Sequence, residues 1–397
     1  MAKRLRTLRD LDVRERRVLV RVDYNVPLED GRVVDDTRIR ETLQTIQWLI
    51  EQRARIILCS HLGRPKGQVR EELRLAPVAQ TLSGLLGRSI HYVRDIVGPE
   101  AQAMARRLEP GEVGLLENLR FDPREEANDP VFARALADLA ERYVNDAFGA
   151  AHRAHASVVG VAQLLPSAAG FLMEREVTAL ERVLHSAERP FVLVLGGAKV
   201  SDKIGVIENL LPRADAFLLG GGMANTFLKA CGYELGRSLV EADKVDEARR
   251  LLALAEQRGV RVELPVDVVI APSLEQPAAR RVVQVGDIPA DCAVFDIGPE
   301  TVRRFGEVIA SAKLLVWNGP MGVYEVPEFR DGTRGVAEAV ARCAGFTLVG
   351  GGDSVAALQE LGMADRVSHL STGGGATLEY LEGRELPGVA VLMEEMP

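Results

Sequence analysis

The stretch Phe191–Leu195, followed by Gly196-Gly197-Ala198-Lys199-Val200-Ser201-Asp202-Lys203, constrains this chain more than any other. Five consecutive apolar residues predict a strand buried on both faces, as in a parallel sheet. Two glycines stand at its carboxyl end, where open α/β sheets bind ligands. A glycine lets a phosphate approach the backbone closely, because no Cβ stands in the way. Lys199 and Lys203 share a face if Lys199 opens a helix. Two ammonium groups at such a turn would clamp a phosphate. The competing reading is a solvated loop carrying surface lysines.

The same theme, an apolar run ending in polar residues, recurs along the chain. Residues 17–22 lead into Asp23-Tyr24-Asn25-Val26-Pro27, and residues 55–59 into Ser60-His61-Leu62-Gly63-Arg64-Pro65. Residues 114–119 end in Arg120, and residues 142–144 lead into Asn145-Asp146. Helical patterns at 38–52 and 76–86 lie between them. In the second half, residues 216–219, 313–317, 346–349 and 369–372 each run into glycines. Strands alternating with helices imply βαβ units and a parallel sheet, so the fold class is α/β. A chain of 397 residues is too long for one compact core and implies two domains. The apolar stripe Val177, Leu180, Val183 and Leu184 predicts a helix over 174–188, suited to join them as a hinge.

In that architecture the residues just past each strand gather along one edge. In the first half these are Arg21, Asp23, Asn25, His61, Arg64, Arg120, His152 and Arg153, with Arg38 at a helix start. Arginine forks bind carboxylate or phosphate with paired hydrogen bonds. Several of them in one place would repel each other unless an anion sat between, so their recurrence at strand ends points to an anion site. Arg21 is read instead as the partner of a carboxylate. His91 and His155 read as surface or packing residues, and His185 and His369 have no chemical context. In the second half the repeated glycines would offer backbone N–H groups, and helix N-termini a favourable dipole, to a nucleotide polyphosphate. Asp353, after Gly350-Gly351-Gly352, is the candidate magnesium ligand. The alternative is a helix N-cap at Asp353 or Ser354.

Charge narrows the partners. The net charge of −8 attracts neither nucleic acid nor an anionic membrane surface. The segment 1–10 is basic but lacks an apolar core, and no run approaches the ~20 apolar residues of a membrane span. Cys59, Cys231, Cys292 and Cys343 are widely spaced with no CxxC, which predicts reduced structural thiols in a cytoplasmic protein. Neither GxxxxGK[ST] nor GxGxxG occurs, which counts against a P-loop enzyme and a dinucleotide-dependent dehydrogenase. A silent binding protein of the same fold would keep the glycines but lose Arg38, Lys199, Lys203 and Asp353.

These motifs resemble the phosphoglycerate kinase family over nearly the whole chain. The resemblance is carried by Arg21-Val-Asp-Tyr-Asn-Val-Pro27, Ser60-His-Leu-Gly-Arg-Pro65, Leu116-Glu-Asn-Leu-Arg-Phe121 and Ala151-His-Arg-Ala-His-Ala-Ser157. It continues through Gly170-Phe-Leu-Met-Glu174, Gly196 to Lys203, Trp317-Asn-Gly-Pro-Met-Gly-Val-Tyr-Glu325 and Gly350 to Ser354. It implies two Rossmann-like domains facing a deep cleft. The first would span 1–172 with a returning tail 380–397, the hinge helix 173–188, and the second domain 189–379. It implies reversible, magnesium-dependent phosphoryl transfer between 1,3-bisphosphoglycerate and ADP in glycolysis, by a monomer that closes on its substrates. Asp23, Asn25, Arg38, His61, Arg64, Arg120 and Arg153 would bind 3-phosphoglycerate. Gly197, Lys203, Asn318, Glu325, Gly351, Gly352, Asp353 and Ser354 would bind ATP or ADP, with Glu325 on the ribose and Asp353 on Mg²⁺. Arg38, Lys199, Gly373 and Gly374 would face the phosphoryl group in transit, and Gly375 adds a backbone N–H there. Val294 departs from the family, which commonly has glycine there; this questions the local backbone fit beside the nucleotide. Phosphoryl transfer asks a protein for positioning and charge stabilisation, and the acceptor oxygen is already ionised. No Ser-His-Asp constellation is therefore needed.

Overall fold

A computed structural model describes residues 3–395. The chain divides into two units, one running to Thr178 and resuming at Glu385, the other spanning Ala179–Arg384. Each unit is built on a six-stranded sheet whose strands are all parallel. In the first unit the strands lie in the order Ile90–Tyr92, Val113–Leu115, Arg55–Cys59, Arg17–Arg21, Arg142–Asn145, Ser167–Ala169. In the second the order is Arg261–Glu263, Ala216–Leu219, Phe191–Leu195, Leu314–Asn318, Phe346–Gly350, His369–Leu370.

The alternation of side chains across a strand explains why these runs are apolar throughout. Val18 and Val20 join one core of the first unit and Leu19 the other. Ile56 and Leu58 divide from Ile57 and Cys59 in the same way. Both faces are covered, so every position must be apolar; each such side chain contributes about 1.5–3 kcal/mol when buried. Phe191–Leu195 is the same case in the second unit, with all five residues buried.

Several sequence expectations shift. The helical pattern at 38–52 is two helices, Thr37–Glu41 and Leu43–Glu51. They break at Thr42, whose hydroxyl donates to Ile39 O at 2.8 Å and meets Tyr24 Oη at 2.8 Å. The run 114–119 is a strand only over Val113–Leu115. Asn118 then accepts from Arg120 N through its side chain, setting a 3₁₀ turn over Leu119–Phe121. The helix expected over 174–188 spans Phe171–His185. It starts earlier because Asp146 Oδ1 accepts Leu172 N at 2.9 Å and Met173 N at 3.2 Å, satisfying first-turn donors. This helix begins in one unit and ends in the other.

The second unit carries an added antiparallel sheet, ordered Arg281–Gln284, Asp267–Ala271, Ala293–Ile297. In the first unit Met393–Glu395 pairs antiparallel with Lys3–Leu5. All four cysteines are free thiols. Among the described residues no helix is long and apolar enough to cross a membrane.

Candidate active site

In the first unit the strand order reverses between Arg17–Arg21 and Arg142–Asn145, a switch point where loops part and leave room for a ligand. The expected residues gather at that edge. Asp23, nearly buried, accepts from Arg38 Nη1 at 3.0 Å and from Asn25 N at 3.2 Å. Asn25 Oδ1 accepts Gly63 N at 2.9 Å, and Arg120 Nη1 donates to Gly63 O at 2.8 Å, so both side chains hold the 60–65 loop. Arg120 is buried, yet its Nε has no hydrogen-bond partner. Arg153 Nε lies 3.2 Å from His152 Nε2, and Arg64, next to Gly63, is exposed.

Electrostatics reveal how closely the arginines converge. His61 is buried, and its pKa is held well below the usual imidazole value. Burial is the main cause; Arg21, Arg120, Arg153 and Arg38 each add to it. Arg120 is itself lowered, by burial and then by Arg153. A buried arginine crowded by other cations marks a place that an anion would stabilise.

Arg21 corrects its sequence reading. It is fully buried and reaches a carboxylate only at one remove. Its Nε donates to Ser157 Oγ at 3.0 Å, and Ser157 Oγ donates to Glu125 Oε1 at 2.5 Å. Its Nη2 lies 3.1 Å from His61 Nδ1. Glu125, fully buried, was not legible as part of this site. It sits on a short helix in a charged stretch, with no motif to mark it.

In the second unit the order reverses between Phe191–Leu195 and Leu314–Asn318, which puts Gly196-Gly197 beside Gly319-Pro320. The glycines there do two different jobs. A Cβ on Gly196 would stand 2.1 Å from Pro320 O, so that residue permits loop to pack on loop. Gly197, at φ +109°, would meet nothing within 4 Å; it opens onto space a ligand can enter. Helix Gly352–Glu360 starts after Gly351, at φ +92°, with no side-chain cap. Its first N–H groups are available to an anion. Neither Asp353 nor Ser354 is the cap; Ser354 is buried and accepts Gly319 N at 2.9 Å. Gly373 and Gly374 precede helix Gly375–Leu381, and Gly374 at φ +54° also faces open space.

The two lysines do not share a helical face. Lys199 is extended, at φ −125°, and exposed before a 3₁₀ turn over Val200–Asp202. Lys203 is buried, and its Nζ donates to Asn318 Oδ1 at 2.5 Å. Burial lowers its pKa to about 8. Beside them a cavity of about 730 Å³ is walled by apolar residues, including Val268, Val294, Met321 and Val323. Leu239 and Leu274 line it although exposed, and no local motif foretold either. Its acidic members are Glu275, Asp296, Glu325 and Asp353, of which Asp296 lies against Gly322. Val294 sits in the strand Ala293–Ile297, where the register shifts past Phe295, but without positive φ, and its N–H donates to Ser238 Oγ at 2.9 Å. The backbone therefore accepts the valine without strain.

Asp353 also fits a magnesium ion. Its carboxyl is raised by burial and by the charge of Glu325. A cation would relieve that repulsion, and carboxylate oxygens are the donors Mg²⁺ prefers. Among the described residues no three His, Cys, Asp or Glu side chains form a cage. Magnesium bound here would lean on phosphate oxygens and water for its other ligands.

The phosphoglycerate kinase family model matches residues 8–384. The phosphoglycerate kinase of Thermomicrobium roseum is 81% identical over 391 residues, covering 98% of this chain and 100% of that protein. That of Moorella thermoacetica is 59% identical, covering 98% and 99%. Among solved structures, phosphoglycerate kinase from Coxiella burnetii superposes with a TM-score of 0.89 at 42% identity, covering 98% of this chain and 99% of that one. The enzyme from Pyrococcus horikoshii gives 0.87 at 35%, covering 98% of each. Matches of this length and identity leave one assignment: the chain belongs to the phosphoglycerate kinase family.

Proposed function

We propose that the arginine cluster of the first unit binds 3-phosphoglycerate and that the glycine edge of the second binds MgATP or MgADP. The chain is a glycolytic kinase, transferring a phosphoryl group reversibly from 1,3-bisphosphoglycerate to ADP. The observation that carries the site assignment is the gathering of Asp23, Arg38, His61, Arg120 and Arg153 at one sheet edge, where the buried Arg120 Nε has no hydrogen-bond partner. Asp23, Asn25, His61, Arg64, Arg120 and Arg153 would hold the substrate's carboxylate and phosphate. Lys203, Asn318, the N–H groups at Gly351 and Gly352, and Ser354 through its loop contact would order the nucleotide phosphates; Gly197 would lend only its open approach, because its N–H donates to Pro320 O at 2.9 Å. Glu325 would take the ribose hydroxyls and the apolar cavity the base. Asp353 would ligate Mg²⁺, which neutralises phosphate charge when bound.

Arg38, Lys199 and the N–H group at Gly374 would stabilise charge on the equatorial oxygens in transit, beside Gly373, whose own N–H donates to Ser371 Oγ at 3.3 Å. Donor and acceptor must meet in line with water excluded, because water competes for the acyl phosphate. We assign that motion to hinge bending at helix Phe171–His185, between a domain of residues 1–172 plus the tail from 380 and one of 189–379. The free thiols suit a cytoplasmic enzyme, and a monomer suffices for the chemistry.

A coupled assay for ATP consumption that requires both 3-phosphoglycerate and Mg²⁺ tests the reading. Asp353→Ala should raise the magnesium requirement on the order of tenfold or more. An unchanged magnesium dependence in that variant would overturn the metal assignment.

A further inference from the structure

We infer that Arg21 is a positioning residue: through His61 Nδ1 it fixes the imidazole proton on Nε2, so that His61 meets the substrate as a neutral donor. The inference deepens the 3-phosphoglycerate site proposed above and rests on it. Arg21 belongs to a directed chain of hydrogen bonds. Glu125 accepts from Ser157 N at 3.1 Å and from Ser157 Oγ at 2.5 Å. The hydroxyl has spent its only proton, so it can only accept from Arg21 Nε, at 3.0 Å. Arg21 Nη1 donates to Val22 O at 2.6 Å, leaving Nη2 facing His61 Nδ1 at 3.1 Å. A guanidinium has no acceptor and keeps its protons. Nδ1 must therefore be the acceptor, and a neutral ring then carries its proton on Nε2.

Among the described residues that second nitrogen has no hydrogen-bond acceptor. Asp23 Oδ1 is 4.0 Å away, beyond hydrogen-bond distance. Asp23 is already engaged by Arg38 and by Asn25 N. The groups facing His61 are the cations Arg21, Arg120, Arg153 and Arg38, with the anion Asp23 at 4.0 Å. Protonating Nδ1 would aim one donor at another inside this cationic cluster. A neutral donor adds a hydrogen bond for a carboxylate or phosphate without adding to the repulsion among the arginines. Substrate recognition through His61 is then insensitive to pH across the range where histidines usually titrate.

The tautomer can be read directly. Two-bond proton–nitrogen correlation spectra of ¹⁵N-labelled protein report which ring nitrogen of each histidine is protonated, and His61→Gln assigns the His61 signals by their loss. The expected result is the Nε2–H tautomer, with no titration of His61 between pH 8 and pH 5. Arg21→Met should mix the tautomers, let His61 titrate in that range and raise KM for 3-phosphoglycerate several-fold with kcat within about twofold. Arg21→Lys, which keeps a cationic donor, should restore much of the wild-type tautomer. Ser157→Ala should loosen the tautomer more mildly if Arg21→Met does not fold. A wild-type ring protonated on Nδ1, or charged at neutral pH, overturns the inference without any variant. Adding 3-phosphoglycerate separates the two claims. If it shifts the His61 signals of an Nδ1–H ring, the site stands and the role of Arg21 falls. If the ring is Nε2–H but the substrate leaves its signals unmoved, the site assignment falls.

Discussion

The two units build their ligand edges at the same topological position by opposite means. The first uses charged side chains: Arg38 on Asp23, Arg120 on the carbonyl of Gly63, Arg21 on Ser157 and His61. The second uses backbone and apolar wall: open glycines, an uncapped helix start and a cavity lined by valines and methionine. The ligands explain the contrast. A small polyanion offers little apolar surface, so its affinity comes from charge-assisted hydrogen bonds with fixed directions. A nucleotide carries a flat base that can be held by area, and phosphates that backbone N–H groups and a metal can share. The side-chain site should then fail sharply on single substitutions, and the backbone-and-cavity site should yield gradually.

Arg38→Ala should produce the largest effect. Arg38 is half-buried and already oriented by Asp23, so little entropy is spent placing its charge on the group in transit. An arginine in that role is worth ~10³-fold or more in kcat. The variant should still bind 3-phosphoglycerate in direct titration. A normal kcat with only KM raised would make Arg38 another anchor and leave Lys199 as the main stabiliser. Arg120→Ala should come next and behave differently. Its contact would be alike in ground and transition states, so KM for 3-phosphoglycerate should rise roughly 10- to 100-fold while kcat at saturation largely survives. Steady-state kinetics of the two variants side by side tests whether one charged site contains two separable tasks.

How much of this was legible in the sequence follows the same division. Strands buried on both faces announce themselves as continuous apolar runs, so Arg55–Cys59, Phe191–Leu195 and Ala216–Leu219 could be bounded to the residue. The loop residues after them were legible because charged side chains at successive strand ends form a pattern. Partners brought in from distant segments were not. Glu125 and Ser157 complete the Arg21 chain from more than a hundred residues away, and burial of a glutamate leaves no local mark. The apolar cavity was equally silent, since no pattern around Leu239 or Leu274 marks them as lining it. Helix starts were misjudged where side-chain hydrogen bonds decide them, at Asp146 and Thr42.

Lys203 is the one buried cation of the second region, and it tests whether charge matters there as it does in the first. Its folded pKa, about 8, lies below the ordinary lysine value of 10.5, so folding favours the neutral amine. The unfolded chain binds more protons between those values, so stability should rise with pH through about 8 to 10.5, and the cost is fully present below 8. The function runs the other way, because phosphate binding needs the charged form. KM for the nucleotide should climb above pH 8, by up to about tenfold per pH unit. Lys203→Met should abolish that pH dependence and bind nucleotide weakly. It should also be more stable at pH 7, by about 1–2 kcal/mol once the orphaned Asn318 Oδ1 is set against the relieved desolvation. Denaturant midpoints and nucleotide KM as functions of pH check both signs. A variant that loses stability at pH 7 would show that the Lys203–Asn318 bond outweighs the burial cost.

The smallest effect should come from Val294, and it bears most directly on the claim that the second region yields gradually. Val294 lines the cavity from the strand Ala293–Ile297 and packs, half-buried, against the small core formed by Leu228, Val268 and Ile270. Val294→Gly would remove a few van der Waals contacts with a base and widen a wall that Val268, Val323 and Met321 still complete. The N–H that donates to Ser238 Oγ is retained, so the strand keeps its local anchor. Nucleotide KM should therefore rise only about two- to fivefold, the equivalent of roughly 0.5–1 kcal/mol of lost contact. Neither kcat nor KM for 3-phosphoglycerate should move, because the change touches no charge and no phosphate contact. Stability should fall by about 1 kcal/mol, from backbone entropy and lost packing in a strand. Titrating ATP, ADP and a nucleotide with a different base against both proteins separates area from specific readout. Equal losses for every base mean that the valine contributes surface alone. A tenfold or greater loss confined to one base would show directed recognition in the cavity, and the contrast between the two edges would then be one of chemistry but not of tolerance.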